Sequence, residues 1–272
     1  MKKIILTIVA CLFAMASVNA ATYSPASRVG TVGTQITSKN GLPTVKYSVV
    51  STDTVNTNIA TTKTLQVSKT KLNYAGNDNE TAAVISQEIG AIVNAAASKK
   101  SFISSVSNSV LSNISDEKLQ NLATLTQQIS LSNMSEKDQM DADITGVDLM
   151  IKAGYNPLAM IVILGKMEGS LRDALQMQPA NLKRTMNIYD YLSYNYPAKV
   201  KAGYACNEYR NFVAYIQPTI TKRNSNKKDL AKFQKTQAKA KKDRERQLLR
   251  YKVTGGTNGW DVTKSLLEGS KS

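Results

Sequence analysis

The stretch that most limits the possible folds is residues 79–93, Asn-Glu-Thr-Ala-Ala-Val-Ile-Ser-Gln-Glu-Ile-Gly-Ala-Ile-Val. Val84, Ile85, Ile89, Ile92 and Val93 recur at three- and four-residue steps, and the pattern runs on to Ala96. The spacing predicts a helix over 80–97. Its apolar residues cover a wide arc instead of one stripe, so the helix must be largely buried. A chain of 272 residues is long enough to bury a real core around it, as one domain or a domain with appendages.

The flanking segments supply the cover. Residues 21–45 are rich in Ser, Thr, Gly and Pro and lack helical periodicity, which predicts an extended lead-in. Val45, Tyr47, Val49, Val50, Val55, Leu65 and Val67 predict short strands. Asn77 to Asn79 is a turn signal. A second helix is expected over 116–130, with Ser115 at its N-cap and Leu119, Leu122, Leu125 and Ile129 as its stripe. Ser135 and Asp138 fit a capping box for a third helix, which ends at Gly154. Pro157 opens a fourth, running to about residue 168. Residues 181–195 and 204–216 read as further helices, with Pro197 and Pro218 as breaks. The fold class is α+β and predominantly helical, with a small N-terminal sheet.

The two ends differ from the middle. Lys2 and Lys3, the apolar run 4–16, and Val18-Asn19-Ala20 form a secretory leader cleaved after Ala20, so the protein is expected to be exported, periplasmic or secreted. Ile8-Val9-Ala10-Cys11 also fits a lipoprotein cleavage box, though with an unusually short apolar region. Removing the leader leaves Cys206 as the single cysteine, so no intrachain disulfide is possible. The chain holds 35 Lys and Arg against 20 Asp and Glu. Residues 222–252 carry thirteen basic side chains and only Asp229, Asp243 and Glu245 as acids, +10 of the formal +15. The expected division is a leader (1–20), an extended lead-in (21–45), a main domain (46–218), a basic helical arm (219–254) and a flexible tail with Trp260 (255–272).

The chain contains no histidine. Ser-His-acid and Cys-His catalysis are therefore excluded. A zinc site would lack the ligand that hydrolytic zinc centres use most. Ser115-Asp116-Glu117-Lys118 opens a helix and reads as a cap. Asp141 to Gly146 resembles the start of a calcium loop but has Lys152 at the twelfth position and helical texture.

Several segments occur in the order of one known family. Ser48 to Val67 resembles its strands before the active helix. Asn79 to Val93 resembles its DELAAVLAHEIAHVV helix. Gln139-Met140-Asp141-Ala142-Asp143 resembles ExxAD, Ala153-Gly154-Tyr155-Asn156-Pro157 resembles AGYDP, and Tyr191 to Pro197 resembles YLxxHP. Together these resemble the zinc metalloendopeptidases that include HtpX, the Ste-type CAAX prenyl protease and BepA. The resemblance covers about residues 47–215 and implies a zincin-like metallopeptidase fold.

It also marks what is missing. The positions of the two HExxH histidines are Gln87 and Ala91, the ExxAD glutamate is Gln139, and the later His-Pro histidine is Tyr196. The general-base position survives as Glu88 and the ExxAD aspartate as Asp143. Zinc is the family's cofactor, yet Ala91 has no ligand atom and the Gln87 and Gln139 amides are poor zinc donors. No catalytic residue and no bound metal are expected, and Glu88 reads as a structural carboxylate bonded to Gln139 or to backbone. The reading is an exported pseudopeptidase that binds polypeptides or envelope proteins. One alternative is a binder of anionic lipid or wall polymer through Lys222 to Lys252. Another is an active peptidase with an unorthodox metal site. Nucleic acid has little support, because Phe233 and Tyr251 are the only aromatics in the arm.

Overall fold

A computed structural model describes residues 23–42, 44–51, 54–56, 64–92, 128–130, 135–167 and 180–253. In chain order the elements are α1 (Pro25–Lys39), β1 (Lys46–Val50), β2 (Thr54–Asn56), β3 (Thr64–Ser68), α2 (Lys69–Leu72), α3 (78–92), β4 (Gln128–Ser130), α4 (Glu136–Lys152), α5 (Ala159–Lys166), α6 (Leu182–Asn195), α7 (Pro197–Ala202), α8 (Asn207–Ser225) and α9 (Lys227–Val253). Helix predominates. β1 and β3 pair in parallel, with Lys46 opposite Thr64 and Val50 opposite Ser68. β2 and β4 pair antiparallel, with Val55 opposite Ile129.

Helix α3 is the buried centre. Its start is fixed by a reciprocal cap: Asn77 Oδ1 accepts the Glu80 N–H at 3.1 Å, and Glu80 Oε2 accepts the Gly76 N–H at 2.7 Å. Lys166 Nζ donates to the same Glu80 oxygen at 2.7 Å. Ala82, Ala83, Val84, Ile85, Ile89 and Ala91 are all fully buried. This is the enclosure that the wide apolar arc predicts. Helix α5, apolar and buried from Ala159 to Leu164, forms part of the core around it.

Helices α3 and α4 touch backbone to backbone. A Cβ built on Gly90 would stand 2.2 Å from the Ala142 carbonyl oxygen. One on Gly146 would stand 2.9 Å from the Ser86 carbonyl oxygen. Ser86 and Gly90 lie one turn apart on α3, as do Ala142 and Gly146 on α4, so small residues line both sides of the crossing. The α4 cap forms as expected: Ser135 Oγ accepts the Asp138 N–H at 3.2 Å, and Gly154 takes a positive φ of 85° just past the helix.

Three expectations are corrected. Residues 21–45 are not an extended lead-in, because Pro25 to Lys39 is a helix. Pro25 sits in its first turn, and Val29, Val32, Gly33, Ile36 and Thr37 form its buried stripe. Gly33 is part of the stripe because the Tyr47 ring of β1 presses on it, with ring carbon Cε1 only 2.3 Å from where a Cβ would be. Pro218 is not a break: it lies inside α8, where Tyr209, Phe212, Ile216 and Ile220 are buried on both sides of it and hold the helix together. The end of the helix expected over 116–130 is strand β4 instead, and its remaining residues lie outside the described ones. The leader, Cys11 and Trp260 also lie outside them.

The crossing predicts opposite effects for similar changes. Gly90→Ala should lower unfolding free energy by about 1–3 kcal/mol, the usual cost of overpacking. Gly30→Ala in α1, where no atom lies within 4 Å of the new Cβ, should raise it by up to about 1 kcal/mol. Urea unfolding of both variants checks the pair.

Candidate functional site

Glu88 is 4 % exposed, set among the apolar residues of α3. Its Oε1 accepts a hydrogen bond from Lys71 Nζ at 2.7 Å, and the two side chains are 5 % and 8 % exposed. Lys71 comes from α2, the single helical turn that follows β3. Ser68 both ends the strand and caps the turn, its Oγ accepting the Lys71 N–H at 3.3 Å. The strand-to-helix junction thus delivers an ammonium to the carboxylate. Each charge alone would be costly at this depth.

Gln87 and Asp143 meet across the α3–α4 crossing. Gln87 Nε2 donates to Asp143 Oδ1 at 3.0 Å. Asp143 is fully buried and also receives both arms of Arg184 on α6, Nε to Oδ2 at 2.8 Å and Nη2 to Oδ1 at 2.7 Å. Such a bidentate guanidinium–carboxylate pair is strong and directional. Metal-bound imidazoles usually donate their free N–H to a carboxylate. The Gln87 amide makes a comparable bond from the matching position. Ala91 is fully buried. Gln139 is half-buried in the first turns of α4, its N–H donating to the Ser135 carbonyl at 3.0 Å.

A zinc ion does not fit these residues. The positions implied for its ligands offer two neutral amides and a methyl group, and an ammonium already holds Glu88. No group of three or more Asp, Glu or Cys suited to a metal occurs among the described residues.

A second buried cluster lies further along α4. Asp148 Oδ1 accepts the Tyr191 hydroxyl, and Arg244 Nη2 stands 3.6 Å from Asp148 Oδ2. The same Arg244 nitrogen donates to Thr145 Oγ1 at 2.7 Å. Burial pushes the Asp148 carboxyl above its usual range, against the opposing pull of Arg244 and the Tyr191 bond. Tyr196 packs edge-on against Tyr191, with ring centroids 6.0 Å apart, and burial followed by the Asp148 charge raises its hydroxyl pKa. Cys206 is half-buried and caps α8, its Sγ accepting the Tyr209 N–H at 3.4 Å.

Residues 24–193 match the model of peptidase family M48. The chain belongs to this family. No curated protein and no solved structure matches it significantly. The M48 region begins at the N-cap of α1 and ends within α6, so it includes Lys71, Gln87, Glu88, Ala91, Gln139, Asp143 and Arg184. Tyr196 and helices α7 to α9 lie beyond it.

The sequence points to Gln87, Glu88 and Asp143 but not to the cations Lys71 and Arg184 that hold the two carboxylates. Glu88, expected to bond to Gln139 or to backbone, has Lys71 as its ion-pair partner. The basic arm expected as a helix forms α9, most of whose described side chains are exposed, and Arg244 anchors it on α4. The available signal for Lys71 was slight: it is one of two lysines, Lys69 and Lys71, that follow the apolar positions Leu65 and Val67.

Two predictions follow from the charges. Lys71→Met should cost about 3–5 kcal/mol, because it strands a buried carboxylate. Adding Glu88→Gln should recover much of that. A loss of only about 0–1 kcal/mol in urea unfolding, as for a surface pair, would contradict the burial argument. Asp148 has a raised pKa when folded, so its stabilising contribution is full below the ordinary carboxylate pKa of about 4 and is lost as pH rises through the folded value. Relative to Asp148→Asn, wild-type stability should therefore fall with rising pH above about 4. Paired denaturation curves across acid and neutral pH read that difference.

Proposed function

We propose that this M48 chain is an exported, non-catalytic relative of the HtpX and BepA type, which uses its domain to bind polypeptide. The observation that carries this reading is the Lys71–Glu88 ion pair. In a zinc peptidase the metal lowers the pKa of a bound water to about 7, and a carboxylate takes its proton. Here the carboxylate that the resemblance assigns to that task is neutralised by an ammonium at 2.7 Å, deep in the core. Gln87 is likewise committed to Asp143. The residues therefore support a structural role for Glu88 and Asp143.

The binding mode the fold favours is strand addition, in which an extended peptide lengthens a sheet. The sheet is β1 with β3. Leu65 and Val67 of β3 point into the core, while β1 is half-exposed and shows Val49 at 36 %. An incoming strand would meet β1 more readily than β3.

The test uses the full chain purified without chelators. Elemental analysis should find zinc well below one equivalent, and an unfolded polypeptide such as reduced casein should be bound and left intact. One equivalent of zinc, with cleavage of casein abolished by Glu88→Gln, overturns the reading. A restored variant carrying Gln87→His, Ala91→His and Gln139→Glu should take up zinc only when Lys71→Ala is added. Failure of casein to bind at all, with zinc absent, removes the polypeptide partner and leaves the non-catalytic assignment.

A further inference from the structure

Helix α9 has two opposed faces. Leu230, Phe233, Gln237 and Arg244 are half-buried and turn toward the domain. The Arg223 guanidinium of α8 lies 3.7 Å from the Phe233 ring centroid, and Arg244 reaches Thr145 and Asp148. Both attachments hold the helix by the same side.

On the other side Lys228, Lys232, Lys235, Lys239, Lys242 and Arg246 follow one another at steps of four, three, four, three and four residues, and all six are exposed. At 100° per residue they fall within about 80° of arc, directly opposite the anchoring stripe. Eighteen residues at about 1.5 Å each make a straight row of cations about 27 Å long. Asp243 is the acid beside the row, paired to Arg246 at 3.2 Å. No apolar residue interrupts it. Arg223 and Arg244 thus bind the domain, while five lysines and Arg246 form an outward rail.

We propose that this rail docks the protein on an anionic lipid surface. A plane of headgroups is the partner that can meet all six cations at once, because the row is straight and lies on one side of a fixed helix. Four to eight basic residues on such a helix are enough for this kind of attachment. Five of the six are lysines, strongly hydrated point charges without the planar fork that grips a single phosphate, so the rail reads charge density and not headgroup shape. The face has no aromatic side chain on which a nucleobase would stack. Without apolar side chains the helix rests on the headgroups and does not enter the acyl region. None of the described helices is long and apolar enough to cross a membrane. This inference is independent of peptide binding and of the fate of the metal site.

The test is co-sedimentation of the full chain with vesicles. Equimolar phosphatidylglycerol and phosphatidylcholine should bind it at low salt, pure phosphatidylcholine should not, and binding should weaken steeply as salt rises. Lys232→Glu with Lys235→Glu and Lys239→Glu should weaken binding about a hundredfold or more. The charge-matched control, Lys199→Glu with Lys201→Glu and Lys222→Glu, should weaken it far less. Unchanged unfolding midpoints confirm that both variants fold. Three results would overturn the proposal: equal loss in the two triple variants, binding insensitive to lipid charge and salt as insertion of residues 4–16 would give, or tighter binding to duplex DNA than to the anionic vesicles.

Discussion

The site depends on two glycines. Gly90 and Gly146 let α3 and α4 approach until a Cβ on Gly90 would lie 2.2 Å from a carbonyl oxygen of the other helix. Any side chain there would push the axes apart. The Gln87 amide reaches Asp143 at 3.0 Å only because the backbones are this close. Asp143 in turn collects Arg184 from α6, so the third helix is placed by the same contact. The interior is close-packed, and a shift of even a methyl width at the crossing would be felt along this chain of bonds.

Around that crossing every principal acid has its own cation, and each cation arrives from a different element. Glu88 takes Lys71 from α2, and Glu80 takes Lys166 from α5. Asp143 takes Arg184 from α6, Asp190 takes Arg223 from α8, and Asp148 takes Arg244 from α9. Buried ion pairs add little net stability over a well-packed apolar pair, but breaking one is expensive. Their effect is to penalise misplaced helices, since a shifted helix leaves a charge unpaired in the core. The excess of basic residues permits this without exhausting the supply, and what remains is displayed outward, most of all on α9.

How much of this was legible depended on whether the cause was local. Helix α3 announced itself through its apolar repeat, and α4 through Ser135 and Asp138. Helix α1 did not, because its apolar repeat is only Val29, Val32 and Ile36, diluted by Ser, Thr and Gly, and Gly33 joins the stripe through the Tyr47 ring. Pro218 misled because burial on both flanks outweighs one missing hydrogen bond. At the site, the motif order identified Gln87, Glu88 and Asp143. Their partners stand 17 residues from Glu88 and 41 from Asp143, and Arg244 is 99 residues from Thr145. Nothing in a single sequence says which of 35 cations folds back onto which acid.

Glu88 lies buried on α3 between Gln87 and Ile89, and Lys71 supplies a sufficient physical reason for a carboxylate at that depth. A carboxylate enclosed by the apolar residues of α3 needs a positive partner whether or not any reaction occurs. If no metal provides the charge, an ammonium can. The two cations would compete for one carboxylate, since like unit charges 4 Å apart at an effective dielectric constant of about 20 repel by about 4 kcal/mol. Restoring imidazoles at 87 and 91 would therefore leave an occupied site, and removing Lys71 alone would leave an uncompensated acid. Removing Lys71 is unfavourable by about 3–5 kcal/mol, against a domain's whole stability of about 5–15 kcal/mol. The Lys71–Glu88 pair is thus self-sufficient: each partner supplies the charge that the other needs at this depth.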